Sequence, residues 1–177
     1  MLWIDKKMDI NYNYQSNNFW AVNPTIAPIQ GIVVHGTAGS FSSSLSELTV
    51  GGASSSYIID TNGAIYCLVD PYKDMRSWAN GIWQEPDLSI GWLASLYRRG
   101  INPNLRTISI EHVASSSAMY GKQKMPQVQQ EASLWLCDKL LRDFRLPRNG
   151  QSIIGHYQIL KYERSHCPGV IDIKEWN

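Results

Sequence analysis

The hydrophobic and polar residues of this chain form short strand-like runs and longer helical stripes. Apolar, β-branched runs bounded by turn residues predict strands at residues 29–35, 107–113 and 152–156. Apolar residues at helical spacing predict helices at residues 86–99 and 126–145, each with a proline in its first turn. Predicted strands and helices therefore interleave along the chain.

Two shorter signals complete the pattern. Residues 42–49 favour a short helix with a serine cap near Ser43 or Ser44. Two β-rich runs within residues 55–69 flank an Asn-Gly pair, in which Gly63 supplies the positive φ of a tight turn. We expect an antiparallel hairpin there.

The interleaved elements predict a single α/β domain with a central mixed β-sheet flanked by helices. A chain of 177 residues, 44% of them hydrophobic, is long enough for one domain with a substantial core. Residues 1–28 show no sustained period and are predicted to form an irregular N-terminal arm, which leaves residues 29–177 as the domain. The long segment at residues 71–106 is expected to line or cover a groove.

Charge and hydropathy exclude several classes of partner. The formal net charge is +1 and no Lys/Arg block stands out, so we expect no nucleic-acid partner. No uninterrupted apolar segment is long enough to span a bilayer, and the N-terminus lacks the residue order of a signal peptide. We expect a monomer that is made in the cytoplasm and has no membrane partner.

The three cysteines differ in their surroundings. An odd number in a domain of this size does not indicate a disulfide framework. Cys67 and Cys137 lie within apolar runs, where a free thiol behaves as a small hydrophobic side chain. Cys167 is flanked by His166 and Pro168 instead, which makes it the candidate for chemistry.

Three residues have the ligand types of a zinc site. His35 and His156 each end a predicted strand, and Cys167 follows in a loop-like segment. Catalytic zinc takes three N, S or O ligands and keeps an open position for water. The alternative is that His35 is a core or capping histidine and the Cys/His segment a plain loop. The spacing leaves both interpretations open, because a distributed set is less specific than a paired CxxC motif.

A zinc hydrolase also needs a base and a group that stabilises negative charge. Alternation in residues 107–113 places Glu111 on the less apolar face of its strand, and it is the candidate base. Arg164 or Lys161 can supply the positive charge. The competing interpretation is that these charged side chains are only solvated surface residues.

Four motifs in order resemble the zinc-dependent N-acetylmuramoyl-L-alanine amidases of the type-2 amidase family, which includes phage endolysins, bacterial autolysins and peptidoglycan recognition proteins. The resemblance covers roughly residues 29 to 172. The motifs are Ile32-Val33-Val34-His35-Gly36-Thr37-Ala38-Gly39, the hairpin from Ser54 to Tyr66, Thr107-Ile108-Ser109-Ile110-Glu111, and Ile153-Ile154-Gly155-His156 through Cys167-Pro168-Gly169.

The resemblance implies cleavage of the amide between N-acetylmuramic acid and L-alanine in peptidoglycan, and therefore action on the bacterial cell wall. It implies His35, His156 and Cys167 as ligands of Zn²⁺ and Glu111 as the general base. His166 is expected to point away from the metal, because adjacent residues in an extended loop face opposite directions.

Two departures from the family pattern concern the rest of the site. Many members have a lysine where this chain has Ser165, so Arg164 is the best substitute for stabilising the oxyanion. The segment from Trp78 through Asn80 resembles one that often reads Trp-His-Ala-Gly, without its histidine. We expect Thr37, Trp78 and Asn80 to bind substrate.

Two alternatives to the amidase function remain open. One is a non-catalytic peptidoglycan-binding module on the same fold, and the other is a zinc hydrolase acting on another amide.

Overall fold

The structure is a computed structural model that describes residues 8–115 and 124–169. The parts of the predicted arm and domain at residues 1–7, 116–123 and 170–177 lie outside the described residues. The strands are β1 (Ile10–Asn11), β2 (Phe19–Ala21), β3 (Gly31–Gly36), β4 (Tyr57–Ile59), β5 (Ile65–Cys67), β6 (Met75–Ser77), β7 (Thr107–His112) and β8 (Ile153–Gly155). The helices are α1 (Phe41–Val50), α2 (Gly91–Arg98) and α3 (Gln127–Asp143), with 3₁₀ turns at Pro71–Lys73, Pro103–Arg106 and His156–Gln158.

The main sheet has six strands in the order β1-β5-β4-β7-β3-β8. Strand β3 lies next to the edge strand β8 and pairs in parallel with both β7 and β8. Strand β4 is parallel to β7 and antiparallel to β5, which forms the predicted hairpin. Gly63 has a φ of 85° in the turn of that hairpin. The prediction of an α/β domain with a mixed sheet is confirmed.

One face of the sheet packs against α3. The apolar side of this helix covers alternate residues of β3 and β7, because successive side chains of a strand point to opposite faces. The core between them contains Ile32, Val34, Ile108, Ile110, Ala132, Leu136 and Leu140.

The opposite face carries α1 and α2 over different parts of the sheet. Val33 packs in a cluster with Leu93 of α2, whereas Ile58 of β4 packs with Leu48 of α1. Alternation places His35 on the same face as Val33. Within the described residues, no helix is long and apolar enough to cross a membrane.

The two shorter predicted helices differ from the structure at their N-termini. The cap of α1 is Ser40, whose Oγ accepts a hydrogen bond from Ser43 N at 3.3 Å, so the predicted cap near Ser43 or Ser44 is wrong. Helix α2 begins at Gly91, five residues after the predicted start. The preceding residues form a turn around Asp87, whose N–H donates to Gln158 O at 2.8 Å.

The N-terminal arm is not irregular throughout. Strand β1 extends the main sheet by pairing in parallel with β5, and β2 forms a separate antiparallel sheet with β6. Strands of two and three residues are too short to produce a readable period.

Candidate metal centre and active site

The candidate site lies at the C-terminal ends of three adjacent parallel strands. His35 in β3 is paired with Glu111 in β7, both near the ends of their strands. Strand β8 ends at Gly155, and His156 follows as the first residue of a 3₁₀ turn. Ligand sites of open α/β sheets are found at this edge.

His35, His156 and Cys167 come together at this edge. The Nδ1 atoms of the two histidines are 3.0 Å apart, and one ligand atom from each of the three residues lies within 4.8 Å of the other two. All three residues are buried, with exposed fractions of 1%, 4% and 6%. The structure therefore brings together the three residues predicted as metal ligands.

The hydrogen bonds of the histidines indicate which nitrogen atoms are free to bind a metal. His35 Nε2 lies 2.9 Å from Asn80 Oδ1, and His156 Nε2 lies 3.3 Å from the backbone oxygen of Asn80. A carbonyl oxygen only accepts, so both Nε2 atoms donate and a neutral ring keeps its lone pair on Nδ1. The two Nδ1 lone pairs then face each other at 3.0 Å, an arrangement that a shared cation stabilises. The site thus fits a metal ion.

The protonation states of the three candidate ligands agree with this fit. Burial lowers the pKa of His156 to about 4, and it lowers the pKa of His35 well below the ordinary value, so both rings are neutral. Burial, together with the charge of Glu111, raises the pKa of the Cys167 thiol to about 12. This thiol gives up its proton when a cation takes the proton's place. Two imidazoles and a thiolate are ligands that suit zinc.

Glu111 lies beside this cluster. Its Oε1 is 3.9 Å from His35 Nδ1, and 14% of its side-chain surface is exposed. Its Oε2 is buried and has no hydrogen-bond partner within the described residues. Burial raises the pKa of Glu111 to about 8, although the charge of Arg164 acts in the opposite direction. An unpartnered carboxyl oxygen costs stability, and its position next to the cluster suits proton transfer.

Arg164 lies on an exposed segment next to the cluster. Its backbone oxygen accepts a hydrogen bond from Cys167 N at 2.8 Å. Its charge lowers the pKa values of both Glu111 and Cys167, against the larger effect of burial. His166 is exposed whereas Cys167 is buried, as expected for adjacent residues that point apart.

The three candidate substrate-binding residues occupy different environments. Thr37 is half-buried directly after β3, and its Oγ1 lies 3.4 Å from Gly39 O. Trp78 is 37% exposed and packs against Trp20 of the arm, with ring centroids 5.5 Å apart. Asn80 is only 1% exposed, and its side chain lies against His35.

His112 was not among the predicted site residues, although it supports the site from the α3 side. It is fully buried, its Nδ1 lies 3.0 Å from His35 O, and its Nε2 lies 2.7 Å from Ser133 Oγ in α3. Its Nδ1 donates to the carbonyl, so its Nε2 accepts from the hydroxyl. The available sequence signal was a histidine on the apolar face of a strand.

The fold and the buried His-His-Cys cluster define an α/β protein with a candidate metal centre, and sequence comparison identifies the family. The model of the N-acetylmuramoyl-L-alanine amidase family matches residues 25–170. The chain therefore belongs to this family, whose members are generally zinc-dependent, and the resemblance found in the sequence is confirmed. A comparison with curated proteins finds no significant match.

Solved structures of amidases share the fold. AmpDh3 from Pseudomonas aeruginosa, solved in complex with anhydromuramic pentapeptide, is 24% identical with a TM-score of 0.63, and the match covers 99% of this chain and 65% of AmpDh3. AmiD from E. coli, solved with anhydro-N-acetylmuramic acid-L-Ala-D-γ-Glu-L-Lys, is 23% identical with a TM-score of 0.55, and the match covers 74% of this chain and 49% of AmiD.

A third structure matches along nearly its whole length. The amidase LysC from Clostridium intestinale is 15% identical with a TM-score of 0.59, and the match covers 96% of this chain and 95% of LysC. The matched region is thus about half the length of AmiD but nearly all of LysC.

Proposed function

We propose that this chain is a zinc-dependent amidase that hydrolyses the bond between the lactyl group of N-acetylmuramic acid and the L-alanine of a peptidoglycan stem peptide. The observation that carries this proposal is the convergence of His35, His156 and Cys167 beside Glu111. The first three residues would hold the metal. Bound zinc would supply a charge that polarises the scissile carbonyl and a water of lowered pKa.

Glu111 is the general base in this proposal. It takes a proton from the attacking water at Oε2 and passes it to the nitrogen of the leaving L-alanine. The buried Oε2 has no competing hydrogen-bond partner within the described part of the chain. A pKa of about 8 lies close to neutral pH, where a carboxyl group both accepts and releases a proton efficiently.

Arg164 stabilises the negative charge that develops on the carbonyl oxygen of the substrate. Its guanidinium is close enough to Glu111 and Cys167 for its charge to lower both pKa values. It takes the role of the lysine found in many relatives at the position of Ser165. A donor aimed at developing charge is among the largest contributions to catalysis.

Thr37 and Trp78 bind the substrate beside the metal. Thr37 directly follows the strand that carries His35, and Trp78 presents a partly exposed ring supported by Trp20. Such a ring suits the apolar face of a sugar or the methyl groups of a peptide. Asn80, the third expected substrate contact, is buried against His35, which favours a role in supporting that histidine.

The proposal extends to the whole chain and its surroundings. Residues 29–177 are assigned to the catalytic unit and residues 1–28 to an N-terminal arm, whose strands β1 and β2 pair with β5 and β6. The protein acts as a monomer on peptidoglycan in the bacterial cell wall, without a nucleic-acid or membrane partner. The muropeptides bound to AmiD and AmpDh3 support the choice of substrate class.

Digestion of purified peptidoglycan tests this function. We expect new L-alanine amino termini without new reducing sugars when the zinc-loaded protein is added. New reducing sugars alone would indicate cleavage of the glycan strand and contradict the proposal. Binding to the wall without any new ends would support the non-catalytic recognition module.

A further inference from the structure

We propose that Asn80 is a positioning residue that holds both histidine ligands in the tautomer that presents Nδ1 to the metal. This inference rests on the proposed zinc site. One residue supplies both acceptors: the side-chain Oδ1 faces His35 Nε2 at 2.9 Å, and the backbone oxygen faces His156 Nε2 at 3.3 Å.

The orientation of the Asn80 side-chain amide is set by the hydrogen bond of its Nδ2 group. Asn80 Nδ2 lies 2.7 Å from Thr107 Oγ1, and Thr107 Oγ1 donates its single proton to Pro103 O at 2.9 Å. The threonine oxygen therefore accepts from Asn80, so the amide nitrogen must face Thr107. The oxygen then faces His35, whose Nε2 has to carry the proton.

The backbone of Asn80 is also fixed in place. Its N–H donates to Asn104 Oδ1 at 2.7 Å, and Asn104 Nδ2 donates to Gly81 O at 3.3 Å. Asn104 is 3% exposed, so water does not readily replace these bonds. The Asn80 carbonyl is thereby held toward His156.

These contacts matter because a neutral imidazole has two tautomers. A proton on Nδ1 would block the atom that faces the cluster, and metal binding would first require its transfer to Nε2. Outer-shell acceptors of this kind fix the tautomer and ring orientation of a ligating histidine, and their loss costs about 10- to 100-fold in metal affinity.

Two substitutions separate the acceptor from the bulk of the residue. Asn80→Leu removes the acceptor for His35 and keeps a similar volume. Asn80→Asp keeps an acceptor at the same place, and the Thr107 hydroxyl can turn its proton from Pro103 O to the second carboxylate oxygen. Asn17→Leu, at an exposed asparagine, is the matched control. Zinc affinity is measured by competition with a chelator, and histidine tautomers in the metal-free protein by long-range ¹H–¹⁵N NMR at about pH 8, where histidine is neutral.

We expect the wild type, Asn80→Asp and Asn17→Leu to show His35 and His156 protonated on Nε2 and to bind zinc with similar affinity. Asn80→Leu should show His35 partly protonated on Nδ1 and a zinc affinity about 10- to 100-fold lower. Wild-type tautomers and affinity in Asn80→Leu would overturn the inference, as would an equal loss of affinity in Asn80→Asp. A wild-type protein that binds no zinc would instead contradict the proposed function itself.

Discussion

His35 and Glu111 face each other across the parallel pair β3–β7, with Nδ1 of the histidine 3.9 Å from Oε1 of the carboxyl group. The proposed metal ligand and the proposed base are thus held by the register of two interior strands. We predict that Glu111→Gln keeps zinc, because the amide has nearly the same shape, and lowers kcat by about 10²- to 10⁴-fold, the usual contribution of a general base.

Zinc content and hydrolysis rates of a muropeptide check this prediction. Glu47→Gln is the matched control, since Glu47 is an exposed glutamate of α1. Near-normal turnover by Glu111→Gln would remove this residue from the mechanism. Loss of zinc in the same variant would assign Glu111 to the metal rather than to proton transfer.

Cys167→Ala should lower zinc affinity by more than about 100-fold, because a ligand is lost rather than one of its supporting partners. Cys137→Ala is a close control: Cys137 is also a buried free thiol with a pKa of about 12, but it lies in α3 and packs in the core between that helix and the sheet. Chelator competition on both variants gives the comparison. Full zinc affinity in Cys167→Ala would show that the thiol is not a ligand.

Arg164→Ala should lower kcat by about 10²- to 10³-fold while zinc content stays unchanged, the range observed when one oxyanion donor is removed. Arg164→Lys should recover part of the activity, because it restores a positive charge without the planar guanidinium. Lys161→Ala tests a nearby exposed cation of the same segment. Equal losses in the Arg164 and Lys161 variants would indicate an effect of overall charge instead.

The buried His112 should make the metal-free protein sensitive to acid. Burial lowers its pKa to about 4, so between pH 4 and the ordinary value of about 6.5 the unfolded chain binds more protons than the native state. Above pH 6.5 the neutral His112 therefore makes its full contribution to the free energy of unfolding. As the pH falls from 6.5 to 4, the free energy of unfolding decreases by about 3 kcal/mol in total through this residue.

Urea unfolding of the metal-free wild type and of His112→Asn, at several pH values across this window, gives the free energy of unfolding of each protein. The difference between the two free energies at each pH is the contribution of His112. The asparagine amide can still donate to His35 O. We expect the wild type to lose its stability advantage as the pH falls. Glu111 shifts in the opposite direction, but it is present in both proteins. A difference that does not change with pH would contradict the buried, neutral state of His112.

Much of the fold could be predicted because its central elements repeat a clear period. Alternate residues of β7 are apolar because they face α3, and α3 has an apolar stripe because it packs on that face of the sheet. The helix caps were harder to predict. Serines at positions 40, 42, 43 and 44 are all of a residue type that caps helices, and only Ser44 has a glutamate three residues on. That glutamate, Glu47, instead accepts a hydrogen bond from Gly52 N at the other end of α1.

The candidate site was predictable only in part. His35, His156 and Cys167 are reactive residue types at strand ends or in a loop, so sequence reasoning finds them. The contacts of Asn80 depend on a backbone carbonyl and on a loop that returns to the sheet, and no local pattern encodes either feature. The arm could not be placed for a similar reason, since β1 and β2 exist only through pairing with distant strands.

Titration of the metal-free protein with zinc, followed by the release of L-alanine-terminated peptide from a muropeptide, tests the central claim most directly. We predict no hydrolysis without metal and a rate that rises to a plateau at about one zinc per chain, since three protein ligands form a single catalytic site. A rate that does not depend on zinc, or no hydrolysis at full zinc occupancy, would contradict the account.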